Sequence, residues 1–298
     1  MSTVRVVCVG DLMTDVVALA SGPVADGSDT RAQVRVVGGG AAANTAAWLA
    51  ATGHPVTYVG RVGDDVLGKA AVGDLLAHGV DARVTVDRRR PTGVCVVVVT
   101  PDGQRSMLPD PGANAGLEPD DLPTALMRAP GHLHLSGYAL LTEGSRRAAL
   151  AALERGRAAG MTVSVDPASA APLRAVGPDR VLDWLAGVDL LLPNEDEACL
   201  LAGRADAQAA GAALTARFPE VVVKRGAAGA TWFGAGGGGA VHVDAVPVDA
   251  TDTTGAGDAF AAGFLPGWLA GRPAVEALSA GCALVARVVV RPGARPPG

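Results

Sequence analysis

Short β-branched runs recur along the chain: VRVVCVG at 4–10, VTYVG at 56–60, HLHLSG at 132–137, TVSVDP at 162–167, LLLP at 190–193 and VVVKRG at 221–226. Ala/Leu-rich stretches able to form helices fill most of the intervals between them. Strands alternating with helices imply βαβ units and a parallel sheet, since the crossover joining parallel strands is long enough to hold a helix. The LLLP run is apolar without alternation, the pattern of a strand buried on both faces. The expected fold is α/β, a three-layer α/β/α sandwich. Two regions break the rhythm, about 12–37 and 94–108, where apolar strands are bounded by Gly, Asp and Pro without a convincing helix. The chain reads as one domain, 1–298, with a small β-sheet lid made from those two insertions.

Composition narrows the function. Of 298 residues, 49% are hydrophobic, yet the longest apolar runs fall far short of the roughly 20 residues that span a bilayer. No membrane helix is expected, and the first residues lack a secretory pattern, so the expected compartment is the cytoplasm. Cys8, Cys95, Cys199 and Cys282 are scattered without C-x-x-C spacing, which indicates thiols rather than a zinc site or disulfides. A formal charge of -5 without a long basic run argues against nucleic acid as a partner. The DRRR cluster at 87–90 reads as a solvated turn, the glycine-rich 234–239 as a flexible hairpin loop, and the Pro/Gly-rich 291–298 as irregular.

Two glycine motifs imitate nucleotide sites. GDDVLGKA at 63–70 has Walker-type spacing, but Ala70 stands where a hydroxyl would hold magnesium, and Asp64 and Asp65 would repel phosphates. GGGAAA at 38–43 matches a loose dinucleotide fingerprint, although the preceding QVRVV alternates like a half-exposed strand.

The stretch VDATDTTGAGDAFAAGF at 248–264 combines into a mechanism. Gly255, Ala256 and Gly257 let backbone approach an anion, and a helix starting near Asp258 aims free N–H groups at the same place. Asp258 could accept the proton of an attacking hydroxyl while those amides absorb charge on a phosphoryl group. A plain helix cap is the competing reading. In PNEDEA, Asn194 and Glu197 follow a buried strand at a three-residue spacing, where a helix turn would put them on one face. Glu197 could orient magnesium through water while Asn194 meets phosphate oxygens; a capping pattern with solvated acids is the alternative.

Together these motifs resemble the ribokinase-like (PfkB) family of carbohydrate kinases. GGGAAANTAAWLAATGHPVTYVGRVG at 38–63 is similar to the family's first signature, DTTGAGDAFAAGFL at 252–265 to its second, PNEDEA to its N-x-x-E element, and VVKRGAAG at 222–229 to its nucleotide strand and glycine turn. The resemblance covers nearly the whole chain in the right order. It implies an ATP-dependent kinase that phosphorylates a hydroxyl, primary by expectation, of a sugar or sugar-like molecule, with ATP and Mg2+ as cofactors.

Role by role, it implies Asp258 as base and the Gly255, Ala256 and Gly257 amides as anion hole. Asp15, Gly39, Gly40 and Asn44 would hold the acceptor, and Asp252 the sugar or a monovalent cation. Asn194 and Glu197 would serve phosphates and magnesium; Lys224, Gly226 and Gly229 would line the ATP groove, with Cys282 near the adenine. Met13 and Ala41 replace residues that ribose-specific members use, and Gly137 and Tyr138 sit where such members place a sugar-binding glutamate, so ribose is not implied. Prolines crowd Gly293 in the segment similar to the family's potassium loop, which leaves K+ as an open cofactor. A nucleoside kinase of the same family is the alternative, with Tyr138 and Trp48 as candidates to wall a base. A non-catalytic ligand-binding relative is the alternative from another class, opposed by the intact Asp258 and glycine triad. The exposed-looking lid strands suggest a homodimer built by pairing lids.

Overall fold

The computed structural model describes residues 4–102, 104–234 and 239–297. The glycine-rich loop expected at 234–239 thus falls, at 235–238, outside the described residues. In chain order the strands are β1 (Arg5–Val9), β2 (Met13–Ala20), β3 (Ala32–Gly39), β4 (Val56–Gly63), β5 (Asp81–Asp87), β6 (Gly93–Val99), β7 (Arg105–Asp110), β8 (Gly131–Ser136), β9 (Thr162–Asp166), β10 (Leu190–Leu191), β11 (Glu220–Lys224), β12 (Ala230–Gly234) and β13 (Val241–Val243). The helices are α1 (Ala41–Ala51), α2 (Val66–Ala77), α3 (Gly137–Leu141), α4 (Glu143–Ala158), α5 (Ala170–Val176), α6 (Pro178–Trp184), α7 (Glu195–Ala202), α8 (Ala207–Leu214), α9 (Ala256–Leu269) and α10 (Ala274–Val288).

Nine strands form the main sheet in the order β13-β12-β11-β10-β9-β8-β1-β4-β5. It is parallel from β11 to β5, and β12 and β13 extend it antiparallel at one edge. Both faces are covered, which is why the strand sequences look uniformly apolar. Val7, Val9, Leu133, Leu135, Val163, Val165 and Val223 pack with residues of α4, α6, α7 and α8 on one side. Val6, Cys8 and Tyr58 pack with α1, α2, α9 and α10 on the other, where Leu190, Leu192 and Val222 join α9 and α10. The three-layer expectation holds. β5, β12 and β13 were not among the expected strands; β13 is three residues long and β5 half-exposed, so neither carries a continuous apolar run.

The two insertions form a separate four-stranded sheet, β3-β2-β6-β7. Its pairing register puts Asp15, Cys95 and Pro109 in one row and Val36, Val16, Val96 and Leu108 in the next. Successive residues of a strand point to opposite faces, and Asp15, Cys95 and Pro109 line the central cavity. The valine row therefore faces away from it.

The two glycine decoys have structural roles. Asp65 caps α2, accepting from the Gly68 N–H at 2.7 Å, and holds Thr92 by both its N–H and hydroxyl. Gly38–Gly40 end a lid strand rather than a central parallel strand. The DRRR turn is solvated at its arginines, but Asp87 is buried. Burial pushes its carboxyl upward, and the N–H groups of Arg89 and Arg90 with the Arg61 guanidinium hold it down to about 2. All four cysteines are free thiols, three of them buried. No helix among the described residues is long and apolar enough to cross a membrane.

Candidate active site

One cavity of about 1360 Å³ runs under the lid and across the carboxyl ends of the central strands, the crevice where open α/β sheets bind ligands. Asp258, Gly255, Ala256 and Gly257 line it, as do Asp15, Gly40 and Asn44 towards the lid. Asn194, Glu197, Lys224, Gly226, Gly229 and Cys282 line the rest. Gly39 and Asp252 do not reach its wall.

The site is anchored on α9. This helix begins at Ala256 rather than near Asp258, with Gly255 as N-cap at φ 73°. A Cβ there would lie 2.6 Å from that of Ala294, so only glycine fits both the left-handed backbone and the space. The Ala256 N–H is engaged by the Thr253 carbonyl at 3.2 Å. Gly255, Gly257 and Asp258 donate to no backbone carbonyl among the described residues, which leaves their N–H groups for an anion at the positive end of the helix. Of the three amides expected to meet an anion, that of Ala256 is thus already engaged.

Asp258 receives the Asn44 side-chain Nδ2 at 2.8 Å. Withdrawal from water pushes its carboxyl up to about 8, aided by the negative charge of Asp166 and Asp11, while Asn44 and Lys224 oppose the rise. Asp15 is buried and pushed up to about 6, first by burial and then by Asp11. Gly39 serves it indirectly: a Cβ at that position would stand 2.1 Å from Asp15 Oδ1. Gly40, at φ 92°, passes so close to the Asp11 carbonyl that a Cβ would come to 2.5 Å.

Asn194 and Glu197 make a full capping box. Asn194 Oδ1 accepts from the Glu197 N–H at 2.9 Å, and Glu197 accepts from the Asn194 N–H at 2.8 Å and its Nδ2 at 2.6 Å. The capping reading is correct for both, but the acids are not all solvated: Glu197 is buried and pushed upward by that burial. Each carboxylate oxygen keeps a second lone pair, which suits contact through water. Lys224, at the end of β11, pairs with Asp166 at the end of β9, and the charges of Asp166 and Glu197 hold its ammonium above the ordinary value against burial.

Asp252 holds structure together outside the cavity. It accepts from Arg105 of lid strand β7 at 3.3 Å, from the Thr254 N–H at 2.9 Å and from the Gly293 N–H at 2.9 Å. Trp48 cannot wall a base, because it is buried in α1 with its indole N–H on the Ala294 carbonyl at 2.8 Å. Tyr138 does line the cavity.

Sequence reading missed Asp11, Asp166, Ser136 and Arg295. The first three sit at carboxyl ends of parallel strands, a position that would have flagged them. Asp11 Oδ1 and Ser136 Oγ are buried, belong to residues that border the cavity and have no hydrogen-bond partner among the described residues. Lys224 is the only basic side chain among the described residues that line the cavity, against six carboxylates including Asp249. A cavity of this volume, with unused amides at a helix start and glycines where a Cβ would intrude, has room for more than one small ligand.

The family model for pfkB family carbohydrate kinases matches residues 4–297. An ATP-dependent ribose-1-phosphate kinase of Halopiger xanaduensis is 35% identical over 295 residues, covering 98% of this chain and 94% of that one. A fructokinase of Klebsiella pneumoniae is 37% identical over 238 residues, 77% of this chain and 76% of its own. Among solved structures, the adenosine kinase of Sinorhizobium meliloti superposes with a TM-score of 0.89 at 26% identity, over 99% of this chain and 96% of that one.

Proposed function

The chain belongs to the pfkB family of ATP-dependent carbohydrate kinases, and from that premise we propose that it transfers the terminal phosphoryl group of ATP to a primary hydroxyl of a sugar or sugar-bearing small molecule. The observation that carries this reading is the Asp258 carboxylate standing beside unused N–H groups at the start of α9 and fixed by Asn44. Asp258 takes the hydroxyl proton, and the Gly255 and Gly257 amides meet the charge that develops on the transferred group. Asp15, Asp11 and Asn44 face the acceptor's hydroxyls; Lys224, Gly226 and Gly229 face the phosphates and nucleotide, with Cys282 beside the base. Glu197 and Asn194 would hold magnesium through water, and the ion would supply positive charge against the phosphates. Asp252 already serves three donors, which weighs against a potassium role for its carboxylate. The reaction belongs in the cytoplasm, where thiols stay reduced.

One observation favours a nucleoside over a sugar phosphate. The lid end of the cavity combines the acids Asp11 and Asp15 with an apolar wall of Met13, Cys95, Met107, Pro109 and Leu117. Carboxylates repel a second phosphate, while the apolar side chains suit a flat uncharged base. Magnesium-dependent ADP release should be measured with fructose, ribose-1-phosphate, adenosine and a pentose panel, with Asp258→Asn as control. Turnover abolished in the control supports the kinase reading and names the acceptor; turnover undiminished in it overturns the base assignment.

We also propose that two chains pair through their lids. The outward row Val36, Val16, Val96 and Leu108 crosses all four lid strands, and Val36 and Leu108 are 62% and 63% exposed. A continuous apolar sheet face of this kind is covered in stable proteins, and a second copy offers the same face.

A further inference from the structure

Arg295 lies in the terminal segment after α10, yet its side chain is only 7% exposed. Its Nε donates to Asn44 Oδ1 at 3.0 Å, its Nη2 to the Gly39 carbonyl at 2.9 Å, and its Nη1 to Asp74 of α2. A guanidinium only donates, so contact with Nε obliges Asn44 to present its oxygen there. The amide nitrogen is then left for Asp258, where it is found at 2.8 Å. The first glycine of the GGG motif has its explanation here: a Cβ on Gly38 would stand 3.0 Å from Arg295 Cζ and from Asp74 Oδ2. Anchoring of the segment does not need Arg295, because Trp48 Nε1 holds the Ala294 carbonyl at 2.8 Å and His78 Nε2 meets the Pro296 carbonyl at 3.0 Å.

The geometry points to Arg295 as a positioning residue: by fixing the amide of Asn44 it keeps an N–H donor on the Asp258 carboxylate, so that the last residues of the chain set the state of the base. An unfixed amide would turn its oxygen to the carboxylate in part of the population, and a lone pair facing a negative charge favours the protonated acid. The other groups that bear on Asp258 are Asp11 after β1, Asp166 at the end of β9, Lys224 at the end of β11 and Tyr138 in α3. None of them touches Asn44 or Arg295 by hydrogen bond.

This inference rests on Asp258 being the base, and its test reads that carboxyl without any acceptor. Aspartate is labelled with ¹³C at the carboxyl, the Asp258 signal is assigned by its loss in Asp258→Asn, and its titration is followed in wild type, Arg295→Met, Arg295→Lys and Asp74→Asn. Arg295→Met is expected to raise the midpoint by about one pH unit. Arg295→Lys should restore part of that shift, and Asp74→Asn, which frees the guanidinium from one side, should give a smaller rise. ATP binding by calorimetry identifies the variants that fold. A wild-type midpoint in every folded variant overturns the proposal. Absence of turnover in wild type would instead count against the kinase reading and leave the titration result standing.

Discussion

The Asn44 side-chain nitrogen donates to Asp258 Oδ2 at 2.8 Å across 214 residues of sequence. This bond joins the start of α1 to the start of α9, bringing the two signature stretches of the chain to one carboxylate. Asp258→Asn should therefore reduce phosphoryl transfer about a thousandfold, the scale of losing a general base, while ATP binding measured by calorimetry changes little. Turnover within tenfold of wild type would remove Asp258 from its role.

The same residue governs a pH effect of known sign. The Asp258 carboxyl rises from 3.8 to about 8 on folding. Between those values the unfolded chain has released a proton that the folded chain keeps, so stability falls as pH rises through that window. Asp258→Asn should then be more stable than wild type at pH 8 and equal to it below pH 4, as read from melting temperatures across pH. In wild type kcat/KM should climb with pH towards 8. A melting difference independent of pH would show that the carboxyl is not perturbed.

Gly39→Ala tests the acceptor end. The added Cβ would lie 2.1 Å from Asp15 Oδ1, and Arg295 holds the Gly39 carbonyl in place. Asp15 must swing away. The KM for the acceptor should rise at least about tenfold, equivalent to about 1.4 kcal/mol, with the KM for ATP unchanged. Equal effects on both would indicate general damage.

Under the sheet, His132 and His134 share Ser164 as a hydrogen-bond partner at 2.7 and 2.8 Å and are fully buried. Burial lowers both imidazoles, His134 from 6.5 to about 4. The unfolded chain takes up protons below 6.5 that the folded chain refuses, so their contribution to stability is lost as pH falls from 6.5 towards 4. Urea unfolding at stepped pH should show this slope, and replacing both histidines by glutamine should flatten it. An unchanged slope would assign acid lability elsewhere.

Sedimentation addresses the lids. Val36→Glu with Leu108→Glu places charge on the outward row and should convert a dimer to monomer without changing the melting of the isolated chain by more than about 1 kcal/mol. A wild type that is monomeric at every concentration dismisses the lid pairing.

Legibility in the sequence followed the range of the interactions. The alternation of β-branched runs and Ala/Leu stretches announced the parallel sheet and its two helix layers, because burial on both faces leaves a local apolar signature. Asp258 and its glycines were legible for a similar reason: a helix start with glycines where side chains cannot fit is written in consecutive residues. Short or half-exposed strands such as β5 and β13 left no such mark. The lid's existence could be read from broken rhythm, but which of its faces meets the cavity depends on register, set by pairing between distant strands.

Strand and helix alternation, the doubly covered sheet and the candidate base were legible in local pattern and short-range chemistry. What only the tertiary structure decided are contacts that close long loops: Asp252 on Arg105 and Gly293 rather than at the cavity wall, Trp48 under the terminal segment, Asp166 on Lys224, and Arg295 behind Asn44. Each joins residues tens to hundreds of positions apart, so no window of sequence contains both partners. Their geometry comes from the packing of sheet, helices and lid, and a single chain read alone carries the chemistry of each residue but not the neighbour that uses it.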